Sequence, residues 1–164
     1  MTRIGVLSDT HGFLPQQAES FFKNCDEIWH AGDIGDESVL AGLAKIAKTR
    51  AVFGNIDGQH IRAITKEFLF FQIESKKILL THIAGVPYKY NYEVNGLIKM
   101  YSPDILVCGH SHILLVQYNH KDKLLHINPG AAGNNGFHKK QTLLRFEIDK
   151  ENIQNMEIWE KERR

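Results

Sequence analysis

Cysteine is scarce in this sequence. Only Cys25 and Cys108 occur among 164 residues, too far apart to form a CxxC pair. That excludes a disulfide framework and fits a reducing compartment. Cys108, inside an apolar run, reads as a small buried hydrophobe. Long apolar runs are missing too. The first, Ile4 to Leu7, ends at Ser8-Asp9 and is far too short for the core of a signal peptide; no run approaches transmembrane length. A cytoplasmic location is expected. An excess of either charge is also lacking: 20 basic against 19 acidic residues leave a net charge of +1. General nucleic-acid or membrane-surface binding therefore has no electrostatic basis. Internal repeats, low-complexity segments and Pro/Ser-rich linkers are absent as well, so one domain over residues 1–164 is expected, a length that suits a single core. With 43% hydrophobic and 24% charged residues, the composition is that of an ordinary globular chain.

What is present alternates. Ile4–Leu7, Glu27–His30 and Arg50–Phe53 read as strands. Between them, Leu14, Ala18, Phe21 and Phe22 recur at helical spacing, with Pro15 in the first turn, as do Val39, Leu40, Leu43, Ala44 and Ala47. Helices between strands imply parallel pairing. Further on, 67–73 and 77–81 read as strands joined by a tight turn at Glu74-Ser75. Val94, Leu97, Ile98 and Tyr101 mark a helix, and 104–108 reads as another strand. Strands 114–118 and 124–128 flank a polar turn, and Leu144, Phe146 and Ile148 lead through a turn to a last strand with Met156 and Ile158. These hairpins imply antiparallel pairing in the later half. The expected class is α/β with mixed sheets.

The polar residues fall at strand ends. The apolar runs end in Ser8-Asp9-Thr10-His11-Gly12, Gly32-Asp33, Gly54-Asn55, Thr81-His82 and Gly109-His110-Ser111-His112. In open α/β sheets, ligands bind beyond the carboxyl ends of the strands. Gly12, Gly32, Gly54 and Gly109 permit sharp turns there. Asp9, His11, Asp33, Asn55, His82, His110 and His112 together form a set of oxygen and imidazole donors without thiolate. That set argues against structural zinc and suits Mn, Fe or catalytic Zn. Asp9/His11 and His110/His112 are spaced two apart, so each pair can converge from an extended segment. If one carboxylate bridges, two ions receive four protein ligands each, the arrangement of two-metal phosphoryl chemistry. Singly, Asp9 could be a cap and Asn55 a turn residue before Asp57-Gly58. His30 and His126, inside strands, and His60 and His120, in polar segments, read as ordinary hydrogen-bonded or surface residues.

These five motifs, in this order, resemble the calcineurin-like metallophosphoesterases. The short length and Asn128-Pro129-Gly130 are similar to the small YfcE-like phosphodiesterase branch, and the likeness covers residues 1 to about 148. The resemblance implies a four-layer αββα sandwich of two mixed sheets flanked by helices. It implies one ion held by Asp9, His11, Asp33 and His112, and a second held by the bridging Asp33 with Asn55, His82 and His110. The ions are expected to be Mn, with Fe, Zn or Ni as alternatives. A bridging hydroxide would then attack a small phosphoester, most naturally a diester, with His110, Asp33 and Asn55 in catalytic roles.

The sequence departs from the family pattern twice. Where many members have Gly-Asn-His-Asp/Glu, with a His that assists the leaving group, this chain reads Gly54-Asn55-Ile56-Asp57. After His82 it reads Ile83-Ala84-Gly85, where relatives often have Gly-His. Asp36 and Asp57 either orient ligand histidines or serve as helix-terminal and turn residues. The Tyr88-Lys89-Tyr90-Asn91 loop could reach over the site. Gly130 to Gly136 with His138, Lys139 and Lys140 is either a flexible basic rim or a solvated loop. The competing functions are a phosphomonoesterase, a nuclease acting on longer chains, which the small size and near-neutral charge make less attractive, and a non-catalytic protein-binding module. A retromer subunit with this fold is such a module, but it has lost part of the ligand set, and all seven ligands are present here. The oligomeric state is left open.

Overall fold

The computed structural model describes residues 1–163. Chain order is β1 (Thr2–Leu7), α1 (Ala18–Phe22), β2 (Glu27–His30), α2 (Glu37–Ala44), β3 (Lys48–Ala51), α3 (Gln59–Ile64), β4 (Phe68–Ile73) and β5 (Lys76–Thr81). It continues with β6 (Gly85–Val86), β7 (Lys89–Tyr90), α4 (Tyr92–Tyr101), β8 (Ile105–Val107), β9 (Leu114–Asn119), β10 (Leu124–Pro129), β11 (Lys140–Asp149) and β12 (Asn152–Glu162).

The central strands are apolar on both faces because both faces are covered. Ile4 and Val6 of β1 point into the same core as Ile78 and Leu80 of β5, Ile105 and Val107 of β8, and Leu144 and Phe146 of β11. Their alternates face outward. Leu7, Ile28 and Leu143 pack under Phe22, Val39, Leu43 and Ile61 of the first three helices. Leu79 and Leu106 pack under Val94 and Ile98 of α4. The result is four layers: helices, a sheet ordered β12-β11-β1-β2-β3, a sheet ordered β4-β5-β8-β10-β9, and α4. Among the described residues, no helix is long and apolar enough to cross a membrane.

Strands β1, β2 and β3 pair in parallel, as their intervening helices require. The later half is less uniform than its hairpins suggest. β5, β8 and β10 also pair in parallel, while β4, β9, β11 and β12 join antiparallel. The third strand is displaced from Arg50–Phe53 to Lys48–Ala51: Val52 N still donates to His30 O of β2, but Phe53 N leaves the ladder and donates to Lys66 O. The first helix begins at Ala18; Pro15 lies in the preceding turn, where its carbonyl accepts from Ala18 N. The short α3 and the β6–β7 hairpin have no counterpart in the periodicity of the sequence. These parallel pairs bring the carboxyl ends of β1, β2, β3, β5 and β8 to one edge of the sandwich.

Candidate metal centre

Asp9 and His11 follow β1, Asp33 follows β2, Asn55 follows β3, His82 follows β5, and His110 and His112 follow β8. The backbone turns abruptly there. Asp9, His11, Asp33, His110 and His112 all have left-handed φ, at 54°, 47°, 54°, 71° and 62°. That conformation costs an L-residue roughly 1–2 kcal/mol, although Asp and His tolerate it better than most. Its concentration at five of the seven candidates marks a backbone shaped for the site rather than for stability. The loops after β1 and β2 hold each other: Asp9 N, His11 N and Gly12 N donate to Gly32 O, Asp33 O and Ile34 O at 3.0, 2.9 and 2.7 Å. Gly32 itself has φ +101°, and a Cβ there would lie 2.6 Å from His82 Nδ1, so only glycine fits.

Two groups result, Asp9/His11/His112 and Asp33/His82/His110, each with donor atoms within 4.8 Å of one another. Asp33 faces both, with Oδ1 3.2 Å from His82 Nε2 and Oδ2 3.5 Å from His11 Nε2. Asn55 joins the second group. Its Oδ1 lies 3.1 Å from His82 Nε2 and 3.0 Å from His110 Nδ1. His82 Nδ1–H donates to Ala31 O at 2.7 Å, which leaves the Nε2 lone pair facing the group. In the first group, Asp9 Oδ2 accepts from Ser8 Oγ (2.7 Å) and His110 N (3.0 Å). Its Oδ1 lies 3.1 Å from His112 Nε2 yet makes no hydrogen bond.

Asp9 Oδ1 and His11 Nε2 are buried without a hydrogen-bond partner among the described residues. Leaving such atoms unpaired costs about 1–3 kcal/mol each, and more for charged groups. A cation between them would satisfy both, so the donor set fits a metal. The titrations match this geometry. Burial opposes ionisation of Asp9, but His11, His112, His82 and Ser8 outweigh it and hold the carboxyl far below the usual range. Burial likewise opposes ionisation of Asp33, and His82 reverses it. Asp9 raises the pKa of His11. His82 is raised despite its burial, through Asp33.

Several side chains for which the sequence leaves two roles open take the structural one. Asp57 does not reach a candidate histidine. It is buried and accepts from Ile34 N, Gly35 N and Gly54 N at 3.1, 2.8 and 2.9 Å, tying the loops after β2 and β3 together. Asp36 caps α2 through Ser38 N. The 88–91 loop does not cover the site. The Tyr88 hydroxyl accepts from His120 N, Tyr90 is buried against His126, and Asn91 caps α4. Nor are residues 130–136 a loose rim, because Ala132 N and Gly133 N donate to Ser8 O and Asp9 O. Lys140 pairs with Glu160 at the surface. His60 and His120 lie on the exposed surface.

Two supports are not evident as such from the sequence. His30 is fully buried, accepts from Gly32 N and donates to Thr10 Oγ1, whose own hydroxyl donates to Ile34 O. Burial pushes its pKa down to about 4. Asn128 donates to Gly109 O and Ser111 Oγ and so fixes the loop bearing His110 and His112. Its only signal is the Asn-Pro-Gly motif. Beside Asn55 and His82, a groove of about 1100 Å³ runs between α3 and α4, walled by Phe53, Phe68, Ile83, Tyr92, Leu97 and Met100.

Residues 2–151 match the family model described as the calcineurin-like phosphoesterase superfamily domain. A protein named "probable metallophosphoesterase" in Methanocaldococcus jannaschii is 36% identical over 134 residues, covering 78% of this chain and 67% of that protein. A phosphodiesterase of the same organism is 27% identical over 146 residues, covering 79% and 84%. Vps29 of Entamoeba histolytica, solved in complex with Zn²⁺, shares the fold with a TM-score of 0.75 at 17% identity, covering 98% of both chains.

Proposed function

The chain belongs to the calcineurin-like phosphoesterase superfamily, and from that premise we propose that it is a two-metal phosphodiesterase. One observation carries the reading: Asp33 stands between two donor groups, within 3.2 Å of His82 Nε2 and 3.5 Å of His11 Nε2, and beside it two buried atoms, Asp9 Oδ1 and His11 Nε2, lack a hydrogen-bond partner among the described residues. Asp9, His11, Asp33 and His112 would hold one ion; Asp33, Asn55, His82 and His110 would hold the other. When bound, two divalent ions, Mn before Fe, Zn or Ni, would supply a nucleophile from water near neutral pH and neutralise charge on the phosphoryl oxygens.

The chain's own residues set the geometry. Asp33 locks the spacing of the two groups, and Ile56 N, donating to Asp33 Oδ1 at 3.1 Å, holds that carboxylate in place. Asn55 Oδ1 stands 3.1 Å from His82 Nε2 and 3.0 Å from His110 Nδ1, where it would serve as the oxygen donor between the two imidazoles. His110 is exposed and would face an incoming phosphoryl group. Ile56 offers no proton, so the leaving group departs by its own acidity or through water. The adjoining groove, which opens at Asn55 and His82, gives a second ester substituent somewhere to lie and favours diesters over monoesters. Free Cys25 and Cys108 fit a cytoplasmic setting.

A second reading, a non-catalytic protein-binding module, is compatible with the same fold, which this chain shares with Vps29. Chelated protein, reloaded with Mn²⁺ and assayed on bis(4-nitrophenyl) phosphate and 4-nitrophenyl phosphate, separates the readings. Metal-dependent diester turnover is expected. Bound metal without turnover favours the module, and faster monoester turnover favours a phosphomonoesterase.

A further inference from the structure

We propose that His138 is a positioning residue that holds His112 in the tautomer able to bind the first ion. The proposal rests on the two-ion reading of the centre and adds to it a residue outside the five motifs. His138 Nε2 lies 2.7 Å from Gly133 O. A carbonyl only accepts, so Nε2 carries the ring proton and Nδ1 of the neutral ring is a bare acceptor. That Nδ1 is 3.1 Å from His112 Nδ1. The proton between them therefore belongs to His112 Nδ1. The remaining nitrogen of a neutral His112, Nε2, is left with its lone pair, and this is the atom that faces Asp9 Oδ1.

The relay ends on the backbone that it serves. Gly133 N donates to Asp9 O, so the carbonyl anchoring His138 is on a residue bonded to the Asp9 loop. The two rings meet edge to face, with centroids 5.0 Å apart. Gly136 makes this possible: at φ +130° it lies against His112, and a Cβ there would collide with the His112 ring and lie 3.1 Å from His138 Nδ1. His82 obtains the same result in a different way, with Nδ1 on Ala31 O directly. In the first group an intervening imidazole takes the place of the carbonyl. Partners of this kind typically change metal affinity by about 10–100-fold.

The test compares His138→Leu with His138→Gln. Leucine fills the space without an acceptor, whereas glutamine can accept from His112 and donate to Gly133 O. Bound Mn²⁺ is counted at equilibrium, and the His112 ring nitrogens are followed by ¹⁵N NMR in Zn²⁺-loaded protein. The expected result is two ions in the native protein, a first ion bound about 10–100-fold more weakly in the leucine variant, and substantial rescue by glutamine. The native ¹⁵N spectrum should show the proton of His112 on Nδ1. Two ions bound with native affinity by His138→Leu would overturn the proposal alone. Native protein that binds no ion would overturn the two-ion reading and the proposal with it.

Discussion

The two donor groups lie side by side, with Asp33 facing both, but are built differently. Asp9, His11 and His112 form the deeper group. Asp9 is fully buried, its outer oxygen is tied to Ser8 and His110 N, and its inner oxygen and His11 Nε2 are unpaired. In the other group, Asn55 and His110 are exposed, and the Asn55 carbonyl already lies within hydrogen-bond distance of both imidazoles. The first group thus has buried, unmatched demand for a cation, and the second opens on solvent and the groove. On the two-ion reading, this contrast predicts a tightly held first ion and a more exchangeable second one on the open side.

The largest expected effect lies on the open side. With Ile56 in place of a donor, alkyl diesters lose the roughly 10²–10⁴-fold contribution of general acid catalysis. Nitrophenyl diesters should outpace alkyl diesters by at least that factor, and Ile56→His should narrow the gap. A series of diesters of graded leaving-group pKa measures it; a flat series would mean that another residue donates the proton. Next comes the carboxylate between the groups. Asp33→Ala should weaken binding of both ions and, with metal in excess, lower turnover by about 10²–10³-fold, the scale of losing a preorganised electrostatic group. Loss of only one ion, counted by elemental analysis, would assign Asp33 to a single group.

Smaller effects should separate the groups. His11→Ala should weaken the tight ion and Asn55→Ala the exchangeable one, each with the other ion retained. Equal loss of both ions in each variant would erase the distinction. The least effect is on stability. His30, beneath both loops, and His126, against Tyr90, are buried and held near pKa 4 by burial. Their folded pKa lies below the unfolded value of 6.5, so the unfolded chain binds the extra protons. Their contribution is complete above pH 6.5 and is lost as pH falls towards 4. The slope is about 1.4 kcal/mol per pH unit for each histidine. Denaturant melts of metal-loaded protein should show this acid limb, and His126→Gln should flatten it.

The sequence makes the strand ends legible because polar residues interrupt apolar runs at Asp9, Asp33, Asn55, His82 and His110. The four-layer arrangement follows from the family likeness those residues carry, not from periodicity. What is illegible depends on tertiary bonding. Nothing local marks Asp57 as the knot of three backbone amides or His30 as a strut, since their partners lie on other loops. The same applies to β3, whose end is set by Lys66 on a neighbouring segment rather than by its own residues. Loop 88–91 looks free in sequence because its partners, His120 and His126, are some thirty residues away. The left-handed backbone at His110 and His112 likewise leaves no trace in residue type.

The most direct measurement counts metal and turnover on the same sample. Protein stripped by chelation and titrated with Mn²⁺ is assayed on bis(4-nitrophenyl) phosphate while bound ions are counted. The account predicts no turnover without metal, two ions per chain at saturation, and activity that follows occupancy of the second, weaker ion. Full activity in the stripped protein, or two bound ions with no diester hydrolysis, would contradict it.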